Sequence, residues 1–275
     1  MSAGPFGLAL FLFWGCPSLR SGRAVSQLAD RSALRRQRRL GLALRATVAH
    51  PSACGPDGPV RSKFNLILPP MYIPKSFKSN APAPLQWMKE QYPFGLLQSQ
   101  QEGQLWATPL PFLWSGPLLL KSHLALANPQ AQSFLKQDKQ EVLIHFQGPY
   151  AYISPKHYQH SQNVPSWNYL ALQVRGQLSV LDQLGQKQLL EESILAFEPT
   201  YWPQWEQLPE KYLTALSGEL LAFQVEVTAI DLCLKISQNK SQAEQLTILK
   251  ALQSSPHLMD QQLAQAILQL QALKD

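Results

Sequence analysis

The stretch Phe146-Gln147-Gly148-Pro149-Tyr150-Ala151-Tyr152-Ile153-Ser154-Pro155, followed by a polar loop and then Val164-Pro165-Ser166-Trp167-Asn168-Tyr169, decides how the chain is read. Its 24 residues hold three prolines, four tyrosines and a tryptophan beside Ser, Asn, Gln and Lys. The pattern shows neither the 3.6-residue period of a helix nor the strict alternation of a strand. It predicts a non-repetitive segment between two strands, shaped to line a pocket, with the rest of the chain as its scaffold.

On the C-terminal side, Leu170, Leu172, Val174, Leu178 and Val180 recur every second residue with Gly176 in the same register. That spacing predicts a long half-buried strand with a bulge or a close backbone approach at the glycine. On the N-terminal side, Val142-Leu143-Ile144-His145-Phe146 reads as a short buried strand. Leu221, Phe223, Val225 and Val227 alternate, and Ile230, Leu232, Leu234 and Ile236 do so in the opposite parity. A bulge near Thr228 and Ala229 reconciles the two, and bulges are how a sheet bends toward a barrel.

Leu96-Leu97-Gln98-Ser99, a turn at Gln101-Glu102-Gly103, and Leu105-Trp106-Ala107 form a predicted hairpin, and Leu118-Leu119-Leu120 a further strand. Asn128 is placed to cap a helix that opens on Pro129 and is expected to end near Lys139. Other helices are predicted at 84–91, stopped by Pro93, on the Leu190, Ile194 and Phe197 face, at 210–216, and at 243–253 and 256–273. In the last of these, Leu263, Ile267 and Leu270 share one face. About six strands with inserted helices and no βαβ rhythm predict a mainly β chain: a small antiparallel barrel with peripheral and C-terminal helices.

The chain has 275 residues, 45% of them apolar, with a net charge of +6 that is unevenly spread. Residues 1–70 carry nine arginines and one lysine against Asp30 and Asp57, a net +8. Residues 71–275 carry thirteen lysines and a single arginine, Arg175, against sixteen acids, a net −2. This break predicts an Arg-rich disordered leader over 1–70, which could also reflect a start assigned too far upstream, and a folded domain over 71–275. The apolar run 6–14 has no basic residue before it and is too short to span a bilayer, which argues against an export signal.

Other functions find little support. Cys16, Cys54 and Cys233 have no metal-ligand spacing, which suits a reducing cytoplasm. His157 and His160 are three apart but lack an acidic or thiol partner, so no metal site is expected. No paired acid and base is legible around Glu191, Glu192 and Glu198, so no catalytic residue is assigned. With one arginine and no helix-turn-helix pattern, the body has few groups to neutralise DNA phosphates.

Five ordered motifs carry a family resemblance: Met71-Tyr72-Ile73-Pro74-Lys75-Ser76-Phe77; His123-Leu124-Ala125-Leu126-Ala127-Asn128-Pro129; Phe146-Gln147-Gly148-Pro149 with Tyr152-Ile153-Ser154-Pro155; Val164 to Tyr169; and Lys235-Ile236-Ser237-Gln238-Asn239. Together they resemble the PaiB-type family of FMN-binding negative transcriptional regulators, whose fold is the FMN-binding split barrel. The resemblance spans 71–275 and none of 1–70. It implies a homodimer with flavin mononucleotide at the subunit interface, and a cytoplasmic bacterial regulator that represses protease production and sporulation genes. DNA is a partner through the resemblance alone, and no membrane is implied. The alternatives are a flavin-dependent oxidoreductase of the pyridoxamine phosphate oxidase-like superfamily and a split-barrel module that has lost its flavin.

FMN requires donors for a dianionic phosphate, polar groups for the ring edge and a flat wall. Lys235, Ser237, Gln238 and Asn239 are candidates for the phosphate and ribityl chain. Trp167, Tyr152 and Tyr169 are candidates for the wall, with Ser154, Ser166 and Asn168 as donors and acceptors. His123 and Asn128, beside a helix start, could meet an anion. The competing reading is structural, with hydroxyls and amides binding local backbone and aromatics filling core. The chain departs from the family pattern at Pro109 and Phe197, where His is usual, and at Leu126, where Arg is usual. If position 126 faces the ligand, that loss predicts weak or absent FMN binding, with Arg175 and Lys235 as the remaining cations.

Overall fold

The computed structural model describes residues 68–159 and 162–273, and the expectations for residues 1–67 and for His160 lie outside them. A 3-10 turn, Lys75–Phe77, leads into strand β1 (Lys78–Ser79) and helix α1 (Pro82–Gln91). The helix opens on proline, whose missing N–H would have had no partner in the first turn, and stops before Pro93. Strands β2 (Phe94–Gln101) and β3 (Gln104–Pro111) form the expected hairpin. Its two-residue turn needs positive φ at both positions, and Glu102 and Gly103 sit at 52° and 81°. Next come β4 (Leu113–Trp114) and β5 (Leu119–Ala125).

Helix α2 (Pro129–Phe134) has the predicted cap, the Asn128 side chain accepting from the Gln130 N–H at 2.9 Å. It ends at Phe134 and not near Lys139, because Lys136-Gln137-Asp138-Lys139 offers nothing apolar to hold another turn against the core. Strand β6 runs over Gln140–Ile153, far beyond the short strand expected at 142–146. The Gly148-Pro149 pair is absorbed as a register shift between Gln147 and Tyr150, where a residue without an N–H breaks no ladder bond. Beyond it the alternation resumes, Tyr150 and Tyr152 outward, Ala151 and Ile153 inward. The irregular part of the opening stretch is therefore confined to 154–165, between β6 and β7 (Ser166–Val180).

Helices α3 (Gln183–Phe197), α4 (Trp202–Trp205) and α5 (Glu210–Gly218) separate β7 from β8 (Leu220–Lys235). The ion pair of Lys121 with Glu192 at 2.8 Å ties α3 to β5. Strand β8 is a single element with the predicted irregularity: Arg175 pairs with Ala229 but Gly176 pairs with Val227, leaving Thr228 bulged. Helices α6 (Gln242–Gln253) and α7 (Leu258–Ala272) close the chain. Ser241 and Glu244 form a reciprocal cap at the start of α6, and α7 buries Leu263, Ile267 and Leu270 as its spacing predicted.

All eight strands join one antiparallel sheet in the order β3-β2-β6-β7-β8-β5-β4, with β1 added to β8. The two more than expected are the two-residue strands β1 and β4. The first and last strands of that order, β3 and β4, are consecutive in the chain with only Phe112 between them. The sheet must therefore roll until its edges meet at this residue. Phe112 marks the seam, with ring centroids 5.4 Å from Phe146 on β6 and 6.3 Å from Phe223 on β8. One core fills the roll and continues beneath α1 and α7. The chain is thus mainly β, an antiparallel split barrel with C-terminal helices, as the sequence implied.

Candidate functional site

On β7 the side chains of Trp167, Tyr169, Ala171, Gln173 and Arg175 share the outer face, while Asn168, Leu170, Leu172 and Val174 point to the core. Cross-strand pairing puts Tyr152 opposite Trp167, Tyr150 opposite Tyr169, and Tyr169 opposite Lys235 of β8. The rings meet: Trp167 lies edge-on to Tyr152 at 5.7 Å and tilted against Tyr150 at 6.1 Å. Yet Tyr150, Tyr152 and Trp167 remain 45%, 50% and 53% exposed. Three large rings half open to water thus form one contiguous apolar strip, the kind of patch at which ligands or partners bind.

Lys235 stands at the end of this strip. Its Nζ donates to Ser166 Oγ at 3.0 Å and lies 5.7 and 5.8 Å from the ring centroids of Phe77 and Tyr169. Among the described residues no carboxylate forms an ion pair with it. A half-buried ammonium held by a hydroxyl and two π faces has donor capacity left for an anion. Arg175 is different, because its guanidinium pairs with Asp231 at 2.9 Å and donates to Leu68 O at 3.0 Å. Asp231 also accepts from the Met71 N–H at 3.1 Å, so Arg175 pins the segment entering β1 and is not a spare cation.

The structure separates the remaining predicted residues from this face. Asn168, 1% exposed, is hydrogen-bonded with Ser237 at 2.9 Å on the core side. Ser237 adopts φ of 64°, which opens the turn after β8. Gln238 closes that turn, accepting from the Ile236 N–H and donating to the Leu234 carbonyl. Asn239 is exposed at the tip of the turn. Ser154 caps the 3-10 turn Pro155–His157. Tyr152, Ser166, Trp167 and Lys235 are therefore together, with Tyr169 beside them, whereas Asn168, Ser237 and Gln238 build the backbone beneath. Tyr150 and Phe77 join the face without having been singled out. For Tyr150 the signal was present, since it stands two residues before Tyr152 in an outward-facing position.

His123 and Asn128 lie elsewhere. His123 pairs with Ala222, thirteen residues along β8 from Lys235. Asn128 caps α2 and donates to Thr108 Oγ1 at 3.2 Å, beside the buried Gln130, whose amide reaches Ser99 Oγ at 2.9 Å. Leu126, in the turn between β5 and α2, packs against the core. It is not on the Lys235 face, so the missing arginine removes no charge from that face. Among the described residues no three His, Cys, Asp or Glu side chains cluster to hold a metal.

Burial holds the His123 imidazole below its usual 6.5. The unfolded chain therefore binds this proton more tightly, and the stability contributed by neutral His123 is complete above about pH 6.5 and lost as pH falls toward the folded value. The urea midpoint of the wild type is expected to drop between pH 7.5 and pH 5 by more than that of His123→Gln. Equal drops would show that His123 titrates freely.

The face therefore sets a cation beside an uncovered aromatic strip at one end of a rolled antiparallel sheet. Comparison with known sequences narrows this. Residues 71–229 match the family described as "Putative FMN-binding domain". The chain is 30% identical over 203 residues to protease synthase and sporulation protein PAI 2 of Bacillus subtilis, covering 71% of this chain and 95% of that protein. A protein of Aspergillus fumigatus is 28% identical over 159 residues, 44% of this chain and 61% of its own. Among solved structures, an FAD and heme binding protein from Mycobacterium smegmatis aligns over 62% of this chain and 78% of its own, at 15% identity and a TM-score of 0.49. The chain belongs to the PaiB-type FMN-binding family, and FMN is the cofactor that the family's description names.

Proposed function

We propose that FMN is held on the outer face where β6, β7 and β8 end, with Lys235 and Ser166 taking the phosphate and Trp167, Tyr152 and Tyr150 forming the wall for the ring system. The observation that carries this is the Lys235 ammonium, which has no carboxylate partner among the described residues, at the end of an exposed aromatic strip. Bound FMN would supply one- and two-electron redox chemistry. The chain's part is to anchor the phosphate, stack against the ring and exclude water from one side of it.

A homodimer completes this reading, because a second copy would cover rings that one chain leaves half open. Negative regulation of transcription in the cytoplasm is the proposed role. The name of the Bacillus relative refers to protease synthesis and sporulation, the processes such a regulator would act on, and the buried free thiol of Cys233 suits a reducing compartment. No described helix is long and apolar enough to cross a membrane.

A charge-assisted contact to phosphate contributes about 1.5–3 kcal/mol. Lys235→Ala is therefore expected to raise the Kd for FMN about tenfold or more by flavin fluorescence titration, with Lys235→Arg close to wild type. Unchanged affinity in Lys235→Ala would remove the phosphate from this position.

A further inference from the structure

The Gly148-Pro149 bulge of β6 leaves a cleft of about 310 Å³ between itself and α7. None of the residues lining it carries a carboxylate, ammonium or guanidinium, and five of them are glutamines. Gln262, Gln265 and Gln269 recur at spacings of three and four along the exposed side of α7, and Gln91 and Gln147 face them from the end of α1 and from β6.

Two of these amides are fixed. Gln147 donates to the Gly148 and Leu170 carbonyls, and Gln269 accepts from the Trp87 indole at 3.2 Å. Gln91, Gln262 and Gln265 have no hydrogen-bond partner among the described residues, so each offers a donor and an acceptor to the cleft. The phenols of Tyr92 and Tyr150 supply π surface, and burial pushes the Tyr92 phenol up, keeping it neutral.

We infer that this cleft is a second ligand site, for a neutral heteroaromatic ring with hydrogen-bond donors and acceptors alternating along its edge, the chemistry of a nucleobase. The volume lies at the small end of ligand pockets and suits one fused ring system. Carboxamides pair with such an edge in a bidentate manner, as Gln does with adenine. A charged ligand would find no counter-ion here, which separates this cleft from the Lys235 end of the face. Lys235, Ser166, Tyr152 and Trp167 lie outside this cleft, and Tyr150 is the residue it shares with the flavin face.

The test is titration of the full chain with adenosine and with AMP, read by calorimetry. Adenosine is expected to bind with a Kd of about 1 mM or tighter, and AMP within a few-fold of it. The double variant Gln262→Ala/Gln265→Ala should weaken adenosine binding about tenfold with its melting temperature unchanged, since both positions are exposed and alanine favours helix. Lys235→Ala should leave adenosine binding as it is. No binding, AMP tenfold tighter than adenosine, a double variant that binds like wild type, or a loss of binding in Lys235→Ala would each overturn the assignment. The last result would put the ligand on the flavin face instead.

Discussion

Replacing Asp231 by alanine is expected to cost about 3–5 kcal/mol of folding stability, as breaking one side of a buried ion pair does. Asp231 and Arg175 have side-chain exposures of 8% and 15%, too little for water to replace the lost partner. The variant would strand the guanidinium on β7 and orphan the Met71 N–H, loosening the segment that β1 adds to the sheet. Arg175→Met/Asp231→Leu, which removes both charges, should recover most of the loss, because the penalty comes mainly from the uncompensated charge. Urea unfolding of the three proteins decides it. A cost of under about 1 kcal/mol for Asp231→Ala, the range of an exposed pair, would show that the pair is solvated.

Gly176→Val is expected to cost about 3 kcal/mol or more, at the upper end of overpacking. A Cβ at this position would stand 2.5 Å from the Glu226 carbonyl oxygen and 2.6 Å from Val225 Cγ1. The obstacle is neighbouring backbone in the bulged part of β8, so relief means separating β7 from β8 where the register shifts. Loss of cooperativity in urea unfolding, or failure to fold at 25 °C, fits this account. A variant within 1 kcal/mol of wild type would mean that the bulge can open freely.

Much of the fold was legible because burial writes itself into alternation. The opposite parities of 221–227 and 230–236 located the bulge at Thr228, and the period-two run through Gly176 located the close approach on β7. The extent of β6 was not legible. Gly148-Pro149 looks like a strand terminator, and only the pairing of Tyr150 with Tyr169 shows that the ladder resumes beyond it. The length of α2 was misjudged because a cap specifies where a helix starts, whereas its end depended on the absence of apolar contacts after Phe134.

The candidate site was half legible. Residue chemistry picked out Tyr152, Ser166, Trp167 and Lys235, which the sheet gathers on one face. Chemistry alone could not say that Asn168 faces inward, one residue out of phase with Trp167, or that Gln238 is consumed by the turn it closes. Nor could it tell that Arg175, the single arginine of residues 71–275, was committed to Asp231. Which polar groups remain free is a property of pairing, and pairing is set by partners distant in the chain.

The central claim, that the face beside Lys235 holds FMN, is tested most directly by the visible absorbance of the full-length protein as purified and after addition of FMN. The account predicts a yellow protein, or one that takes up FMN stoichiometrically, releases it on denaturation, and holds it at least tenfold less tightly as Lys235→Ala. A colourless protein that leaves added FMN free in solution would contradict it.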